Sequence, residues 1–213
     1  MTLSAQALTT VGRLEGALGL SSTGTTLEPF IEGASEYLQD ELEYELYFVE
    51  DKVASGRVVG REGRELRVIS HTPIASVSQV TDDGEVVDPT SYAIAQGGLA
   101  ILRTQGAWLR RPNNWAPFGD PIGGPADDRF LVTYTGGYVT PAQVELDGTL
   151  TRTLPYMFEQ AVVDAAVALY RGQGRDQSIR SKQVSRGSIT YGDLQQIQSV
   201  QSVLKRHRRI GVA

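Results

Sequence analysis

The spacing of apolar residues changes twice along this chain of 213 residues. Up to about residue 46, and again from about residue 153, apolar side chains recur every three or four positions, which is the period of an amphipathic helix. Between about residues 47 and 139 the period is two, as in strands that bury one face. These periods predict an α+β protein: N- and C-terminal helices form a small helical bundle, an inserted antiparallel β domain interrupts it, and an extended C-terminal arm follows.

Two helices are predicted before the β region. Residues 4–18 carry apolar side chains at helical spacing, with Ser4 as the expected N-cap. Residues 26–46 form a stronger amphipathic stripe, and Thr25 or Thr26 is the expected cap. We expect both helices to bury one side in the bundle.

A hairpin is the clearest local prediction in the β region. Asp83-Gly84 lies between two alternating stretches, and a type I′ turn needs the positive φ angles that these residue types tolerate. Further strands are predicted at 66–70, 74–80, 92–94, 99–102 and 130–134. The segment 104–128 is irregular and contains Trp108 and Trp115, whose rings either cap the sheet or serve a function.

Helical spacing returns after the β region. A helix is predicted at 153–171 with Thr153 as its cap, then an extended stretch at 183–191, then a short helix at 193–207 capped by Asp193. We therefore divide the chain into N-terminal bundle helices (1–46), an inserted β domain (47–139), a further bundle helix (140–172) and a C-terminal arm with a short helix (173–213).

Charge is distributed unevenly along the chain. The net charge is −5, which argues against a surface that binds nucleic acid throughout. Acidic residues crowd the segment from Glu28 to Asp51, which is free of basic residues until Lys52, whereas residues 205–209 read Lys-Arg-His-Arg-Arg. Two interpretations remain open: solvated faces, or complementary patches for head-to-tail contacts between subunits.

The residues that would support catalysis or metal binding are sparse. The chain has no cysteine, which excludes disulfides, thiol nucleophiles and thiolate metal sites. His71 and His207 lie far apart, and His71 is expected to be a satisfied loop histidine. A nucleophile elbow, a P-loop and a dinucleotide fingerprint are all absent, as are a membrane-length apolar run and a secretory signal. We therefore expect no enzymatic activity, no metal and no cofactor.

Several short motifs occur in a characteristic order after the acidic helix. They are Leu-Arg-Val-Ile at 66–69, Pro-Ile-Ala-Ser-Val at 73–77, Asp-Gly-Glu-Val-Val-Asp-Pro-Thr-Ser-Tyr at 83–92, Val-Thr-Tyr-Thr-Gly-Gly-Tyr at 132–138, the helix 155–171, Gly-Asp at 192–193 and the basic end 204–209. This ordered series resembles the head-to-tail connector family of tailed bacteriophages, also called adaptor or head-completion proteins.

The resemblance implies a structural virion protein that is made in the host cytoplasm and has no membrane partner. It implies a ring beneath the portal, a dodecamer because the portal is twelve-fold, that joins the DNA-filled head to the next neck or tail protein. One alternative is another neck or tail component, such as a stopper or tail-completion protein. A remote alternative is a polysaccharide hydrolase that uses Trp108 or Trp115 as a sugar platform.

The C-terminal arm is the expected docking element for the portal or a neighbouring subunit. Residues 183–191 alternate like a strand, and a lone strand pairs best with the edge of another chain. The basic end would then lie near acidic portal surface or near packaged DNA. Alternatively, the arm folds back on its own helices. The candidate interface residues are Val184, Arg186, Ile189, Tyr191, Lys205, Arg206, Arg208 and Arg209.

Overall fold

The protein divides into two compact units in a computed structural model. One unit contains the helices, up to Glu43 and again from Val139, and the other runs from Tyr44 to Tyr138. The α+β class, with helices from both ends and an antiparallel sheet between them, is confirmed. The structure describes residues 3–20, 26–59, 62–68, 70–95, 97–108, 129–172, 181–184, 187–190, 194 and 197–207, with only the backbone at 181–184 and 187–190.

Of the five described helices, three pack around a fourth. The five are α1 (Val11–Leu18), α2 (Glu28–Leu42), α3 (Pro141–Leu146), α4 (Tyr156–Gly172) and α5 (Gln198–His207). Helix α4 contacts α1, α2 and α5, and it buries an apolar stripe that includes Phe158, Val162 and Ala165. Ser199 Oγ in α5 donates to Asp164 Oδ2 in α4 at 2.6 Å, so α5 belongs to the bundle.

The first helix begins later than predicted. It starts at Val11, and the side chain of Thr10, not of Ser4, accepts a hydrogen bond from the backbone of Arg13. The preceding segment is non-helical because α2 satisfies its backbone donors: Leu8 N donates to Ser35 Oγ at 3.1 Å. Burial of Leu8 in the bundle therefore outweighs its helical propensity.

Three other predicted helix boundaries are also wrong. Helix α2 covers Glu28–Leu42 instead of 26–46, its N-cap Leu27 lacks a side-chain cap, and Glu43 ends it with φ 62°. Helix α4 begins at Tyr156, because the Thr153 hydroxyl accepts a hydrogen bond from Val139 N. Helix α5 begins at Gln198, whereas its predicted cap Asp193 lies outside the described residues, as does Thr25.

The β unit is a curled antiparallel sheet of seven strands in the order β4-β3-β7-β1-β2-β6-β5. Near the two ends of this order, Ile74 N in β3 donates to Gly98 O at 2.7 Å, in the turn between β5 and β6. The strands are β1 (Val49–Val59), β2 (Glu65–Val68), β3 (Ile74–Asp82), β4 (Glu85–Val86), β5 (Tyr92–Ile94), β6 (Ile101–Arg103) and β7 (Phe130–Gly136).

The predicted hairpin turn is confirmed. Asp82 pairs with Glu85, and the two residues between them have positive φ angles, 51° at Asp83 and 87° at Gly84. Inward side chains from the strands, together with Trp108 from the loop after β6, form one core. Its buried members are Leu66, Val68, Ile74, Val80, Ile101, Trp108, Phe130, Val132 and Tyr134.

The stretch 183–191, predicted as one extended strand, is divided between two strands that pair with each other. Strand β8 (Ser181–Val184) and strand β9 (Gly187–Thr190) form an antiparallel hairpin, in which Ser181 pairs with Thr190 and Val184 with Gly187. The prediction of a lone, unpaired strand is therefore wrong, because the two strands pair with each other.

Candidate interaction surfaces

One face of the curled sheet is turned away from its core. We call it the outer sheet face. Because strand side chains alternate between faces, residues two apart along β1 and β7 share this face. Two of its aliphatic side chains are well exposed, Val53 at 55% and Leu131 at 40%. The face consists of Val53, Ser55, Arg57 and Val59 on β1, Leu131 and Thr133 on β7, Glu65 and Arg67 on β2, and Gln79 and Thr81 on β3.

Two arginines lie opposite each other on the outer sheet face. Arg57 of β1 pairs directly with Arg67 of β2 in the antiparallel register. Arg67 Nη2 lies 3.6 Å from Glu65 Oε2, in a half-exposed ion pair. With the described residues, the side chain of Arg57 makes neither a hydrogen bond nor an ion pair. Like charges at directly opposed positions repel, so this pair of arginines is electrostatically unfavourable within the sheet.

Helix α2 presents the opposite charge. Glu32, Glu36 and Asp40 are exposed and spaced four residues apart, so they lie along one side of the helix. We call these three residues the acidic stripe. Helix α2 contains no basic residue that could neutralise these carboxylates. Glu32 Oε1 accepts a hydrogen bond from the backbone of Ser4. The helical part of the acid-rich segment seen in the sequence therefore presents an exposed acidic surface, whereas Glu50 and Asp51 of the same segment lie on β1.

The basic end of the chain is partly described. Lys205 and Arg206 are exposed in the last turn of α5, where positive charge complements the helix dipole. The ring of His207 packs 4.8 Å from that of Phe158, and burial, together with the neighbouring Arg206, lowers the pKa of His207. Val184 and Ile189 lie in β8 and β9, whereas Arg186, Tyr191, Arg208 and Arg209 fall outside the described residues.

His71 forms a buried cluster at the base of the β unit. Its Nδ1 lies 2.8 Å from Ser70 Oγ, and its Nε2 lies 2.8 Å from Glu45 Oε2, an ion-pair distance without hydrogen-bond alignment. The ring of Tyr47 packs edge-on against the imidazole at 4.5 Å. Burial lowers the pKa of His71; the carboxylate of Glu45 opposes this effect, and the charge of Lys52 adds to it.

The contacts of His71 are structural in character. A serine hydrolase places its nucleophile on one imidazole nitrogen and holds the other with a carboxylate. Here Ser70 is the chain neighbour of His71, and Tyr134 Oη accepts a hydrogen bond from His71 N at 3.0 Å. The cluster therefore ties the loop before β3 to β7. The loop position of His71 was predictable from the sequence, but its partner Glu45 was not, because no local pattern relates the two positions.

Trp108 cannot serve as a sugar platform. It is 1% exposed, its ring packs against Phe130 at 5.6 Å, and its Nε1 donates to Ile101 O at 3.3 Å. The hydrolase alternative is therefore wrong in its use of Trp108, whose ring fills the core; Trp115 lies outside the described residues. In the part of the chain that the structure describes, no three His, Asp or Glu side chains meet as a metal site, and no helix is long and apolar enough to cross a membrane.

Comparison with known proteins finds likeness only at the level of structure. No family model matches the sequence, and no curated protein matches it. A chain from the virion of a native gene transfer agent particle superposes with a TM-score of 0.54 at 15% identity, covering 99% of this chain and 93% of that one. At this identity the likeness shows a common fold over nearly the whole of both chains.

Two further similar chains come from particle necks. One belongs to the neck of the native particle computed with C12 symmetry, with a TM-score of 0.54 and 14% identity. The other belongs to the neck of an empty particle computed with C6 symmetry, with a TM-score of 0.55 and 15% identity. Each alignment again covers 99% of this chain and 93% of the other.

Proposed function

We propose that this chain is a structural virion protein without catalytic activity. In this proposal it forms the adaptor ring beneath the portal, in the neck of the virion, and joins the DNA-filled head to the next neck or tail protein. The observation that carries the proposal is the alignment of the fold, over 99% of this chain, with chains of gene transfer agent virions and necks. The ordered motifs between residues 66 and 138 support it independently.

A ring of twelve copies is part of the proposal. One similar neck was computed with C12 symmetry and another with C6 symmetry, and a twelve-membered ring is compatible with both. A closed ring requires each copy to offer two different surfaces, one for each neighbour. The outer sheet face and the acidic stripe differ in shape and charge, as such a contact needs.

The portal contact is proposed to lie in the C-terminal region, residues 173–213. The β8-β9 hairpin forms a sheet of only two strands, so each strand has an outer edge that a strand of the portal can join. Lys205 and Arg206 add exposed positive charge for acidic portal surface or for DNA in the channel. Val184, Arg186, Ile189, Tyr191, Arg208 and Arg209 complete the proposed contact.

Disruption of the encoding gene in its own particle-forming element tests the function. We expect DNA-filled heads and free tails that fail to join, and restoration of joined particles by a tagged copy whose tag lies at the neck in electron micrographs. Assembly of complete, active particles without the gene would refute the proposal. A tag located one layer below the portal-bound ring would instead indicate a stopper or tail-completion protein.

Replacement of the hairpin tests the portal contact. Deletion of residues 174–213 would also remove α5, whose Val200 and Val203 are buried in the bundle. We therefore replace residues 181–190 with a Gly/Ser linker of equal length, and we expect a folded protein that no longer binds portal-bearing heads. Binding at the affinity of the unaltered protein would exclude the hairpin as the docking element and favour an arm that folds back on its own helices.

A further inference from the structure

We propose that the outer sheet face of one copy binds the acidic stripe of α2 in the next copy of the ring. This contact deepens the proposed function, because it identifies the two surfaces that a closed ring requires and therefore rests on that function. The partner is a second copy of this chain. The contact is heterologous, since the two surfaces belong to different units of the chain.

The outer sheet face carries an excess of positive charge. Arg57 and Arg67 face each other across neighbouring strands, and the one described carboxylate that neutralises part of this charge, Glu65, lies with Arg67. Opposed like charges destabilise a sheet, and a partner that brings carboxylates between them removes the repulsion. A planar guanidinium also binds carboxylate oxygens in pairs, which suits an interface that must fix its register.

The outer sheet face also carries exposed apolar side chains. Val53 and Leu131 are neighbours on the diagonal, since Val53 pairs with Thr133 and the residue after next, Ser55, pairs with Leu131. Val53 and Leu131 both belong to the exposed large hydrophobic residues of the described chain. Aliphatic side chains beside charged ones match the usual anatomy of a protein interface, in which a desolvated core has a polar rim.

The acidic stripe on α2 matches the two arginines in spacing and in charge. Four residues of an α-helix rise about 6 Å, so neighbouring carboxylates of the acidic stripe repeat at about that interval. Adjacent strands of a sheet lie roughly 4.8 Å apart, which is the separation of the strands that carry Arg57 and Arg67. A helix that crosses the strands therefore places successive acids, such as Glu36 and Asp40, over the two arginines. Within α2, like charges four residues apart repel, and a cationic partner relieves this repulsion as well.

Paired charge inversion tests the contact in the full-length protein. R57E/R67E makes the outer sheet face acidic, and E36R/D40R makes the stripe basic. We expect each variant alone to self-associate roughly 10-fold more weakly than the unaltered protein at low salt, as measured by sedimentation. In an equimolar mixture every contact joins opposite charges again, so we expect association to return, with the two variants alternating around the oligomer in native mass spectra.

A matched control separates this contact from a general effect of charge. K205E/R206E changes the net charge by the same amount as R57E/R67E but lies in the proposed portal contact, so its self-association should be unaltered. The chain has no cysteine, so single introduced cysteines report contacts directly. Arg57→Cys and Glu36→Cys should form a disulfide with each other when mixed, and neither should form a homodimer by itself.

Several outcomes would overturn the inference. They are unaltered association of either inverted variant, a mixture that stays dissociated, an Arg57→Cys homodimer, and an unaltered protein that stays monomeric at its solubility limit. Loss of binding to a short DNA duplex in R57E/R67E, with self-association intact, would assign the arginines to nucleic acid instead. If each inverted variant by itself still builds normal necks, the contact is refuted and the proposed function stands. If the two inverted variants associate when mixed but the unaltered protein is missing from necks, the proposed function is refuted and the contact stands.

Discussion

His71 illustrates how a single buried side chain couples the β unit to pH. Its imidazole is inaccessible to solvent and faces the carboxylate of Glu45, the ammonium of Lys52 and the hydroxyl groups of Ser70 and Tyr134. Burial is the largest influence and favours the neutral ring, which lowers the pKa of His71 below its ordinary value. The unfolded chain therefore binds a proton at a higher pH than the folded chain does.

The first prediction follows from this difference in proton binding. As pH falls through about 6.5, the unfolded state takes up the proton first, so the free energy of unfolding should decrease until the pKa of folded His71 is passed. Urea unfolding followed by tryptophan fluorescence between pH 8 and about 5 measures the decrease. A His207→Gln background removes the other histidine, whose pKa is lowered in the same direction.

Two variants separate His71 from carboxylates that titrate in the same experiment. His71→Gln, in the same background, should flatten the pH dependence over this window. Glu45→Gln should extend the decrease to lower pH, because loss of the carboxylate removes the one influence that raises the pKa of His71. An unchanged pH profile in His71→Gln would assign the dependence to other groups.

Residue environments were the least predictable level of this structure. The sequence left open whether the rings of segment 104–128 cap the sheet or serve a function, and the answer for Trp108 depends on Phe130, which is distant in the chain. Gly137 is similar: its φ is 86°, and a Cβ there would lie 2.0 Å from Tyr47 O. Both constraints arise from long-range contacts, which a local pattern does not encode.

At the scale of elements, regular alternation and turn chemistry were sufficient where they occurred. The β3-β4 hairpin was predictable because Asp83-Gly84 satisfies a local backbone requirement. The central strand β1 was missed because its sequence does not alternate: a bulge at Asp51, with φ 46°, interrupts the register between Val49 and Lys52. Pairing with β2 and β7 on both sides stabilises β1 despite its weak local signal.

Helix α3 was also missed, although the sequence contains its start signal. Thr140 Oγ1 accepts a hydrogen bond from Gln143 N at 3.2 Å, and Gln143 Oε1 accepts one from Thr140 N at 3.1 Å. This reciprocal pair is a capping box, with Pro141 at the first helical position. The helix is only six residues long, so it lacks the repeated apolar spacing that reveals longer helices.

The second prediction concerns this cap. Thr140→Ala should lower the free energy of unfolding of the helical unit by about 1 kcal/mol, because the side-chain acceptor for Gln143 N is lost. Chemical denaturation followed by far-ultraviolet circular dichroism measures the change. Thr151→Ala is the matched control, since Thr151 is exposed and lies outside the helices. Equal effects of the two substitutions would show that the cap contributes nothing specific.

At the scale of the whole molecule, the β unit is an insertion between helices of the other unit. Its ends meet within the unit: Tyr47 and Tyr138 form a β-bridge, and Tyr138 N donates to Leu46 O at 2.6 Å. The sequence predicted this interruption because the apolar period changes at both ends of the segment. The predicted limits of the inserted β domain, residues 47 and 139, stay a prediction. Expression of the excised segment tests them.

The third prediction is that residues 44–138 fold when expressed alone. The unit has its own core, and its adjacent ends mean that excision leaves no long unpaired tail. We expect a β-rich circular dichroism spectrum, dispersed amide resonances and one cooperative unfolding transition. Gly137→Val in the same fragment is the control, because its side chain would collide with Tyr47 O and separate the two ends. A fragment that stays unfolded while the full-length chain folds would mean that the core of the β unit is insufficient without the helices. The β unit would then be inserted in the sequence but would not fold independently.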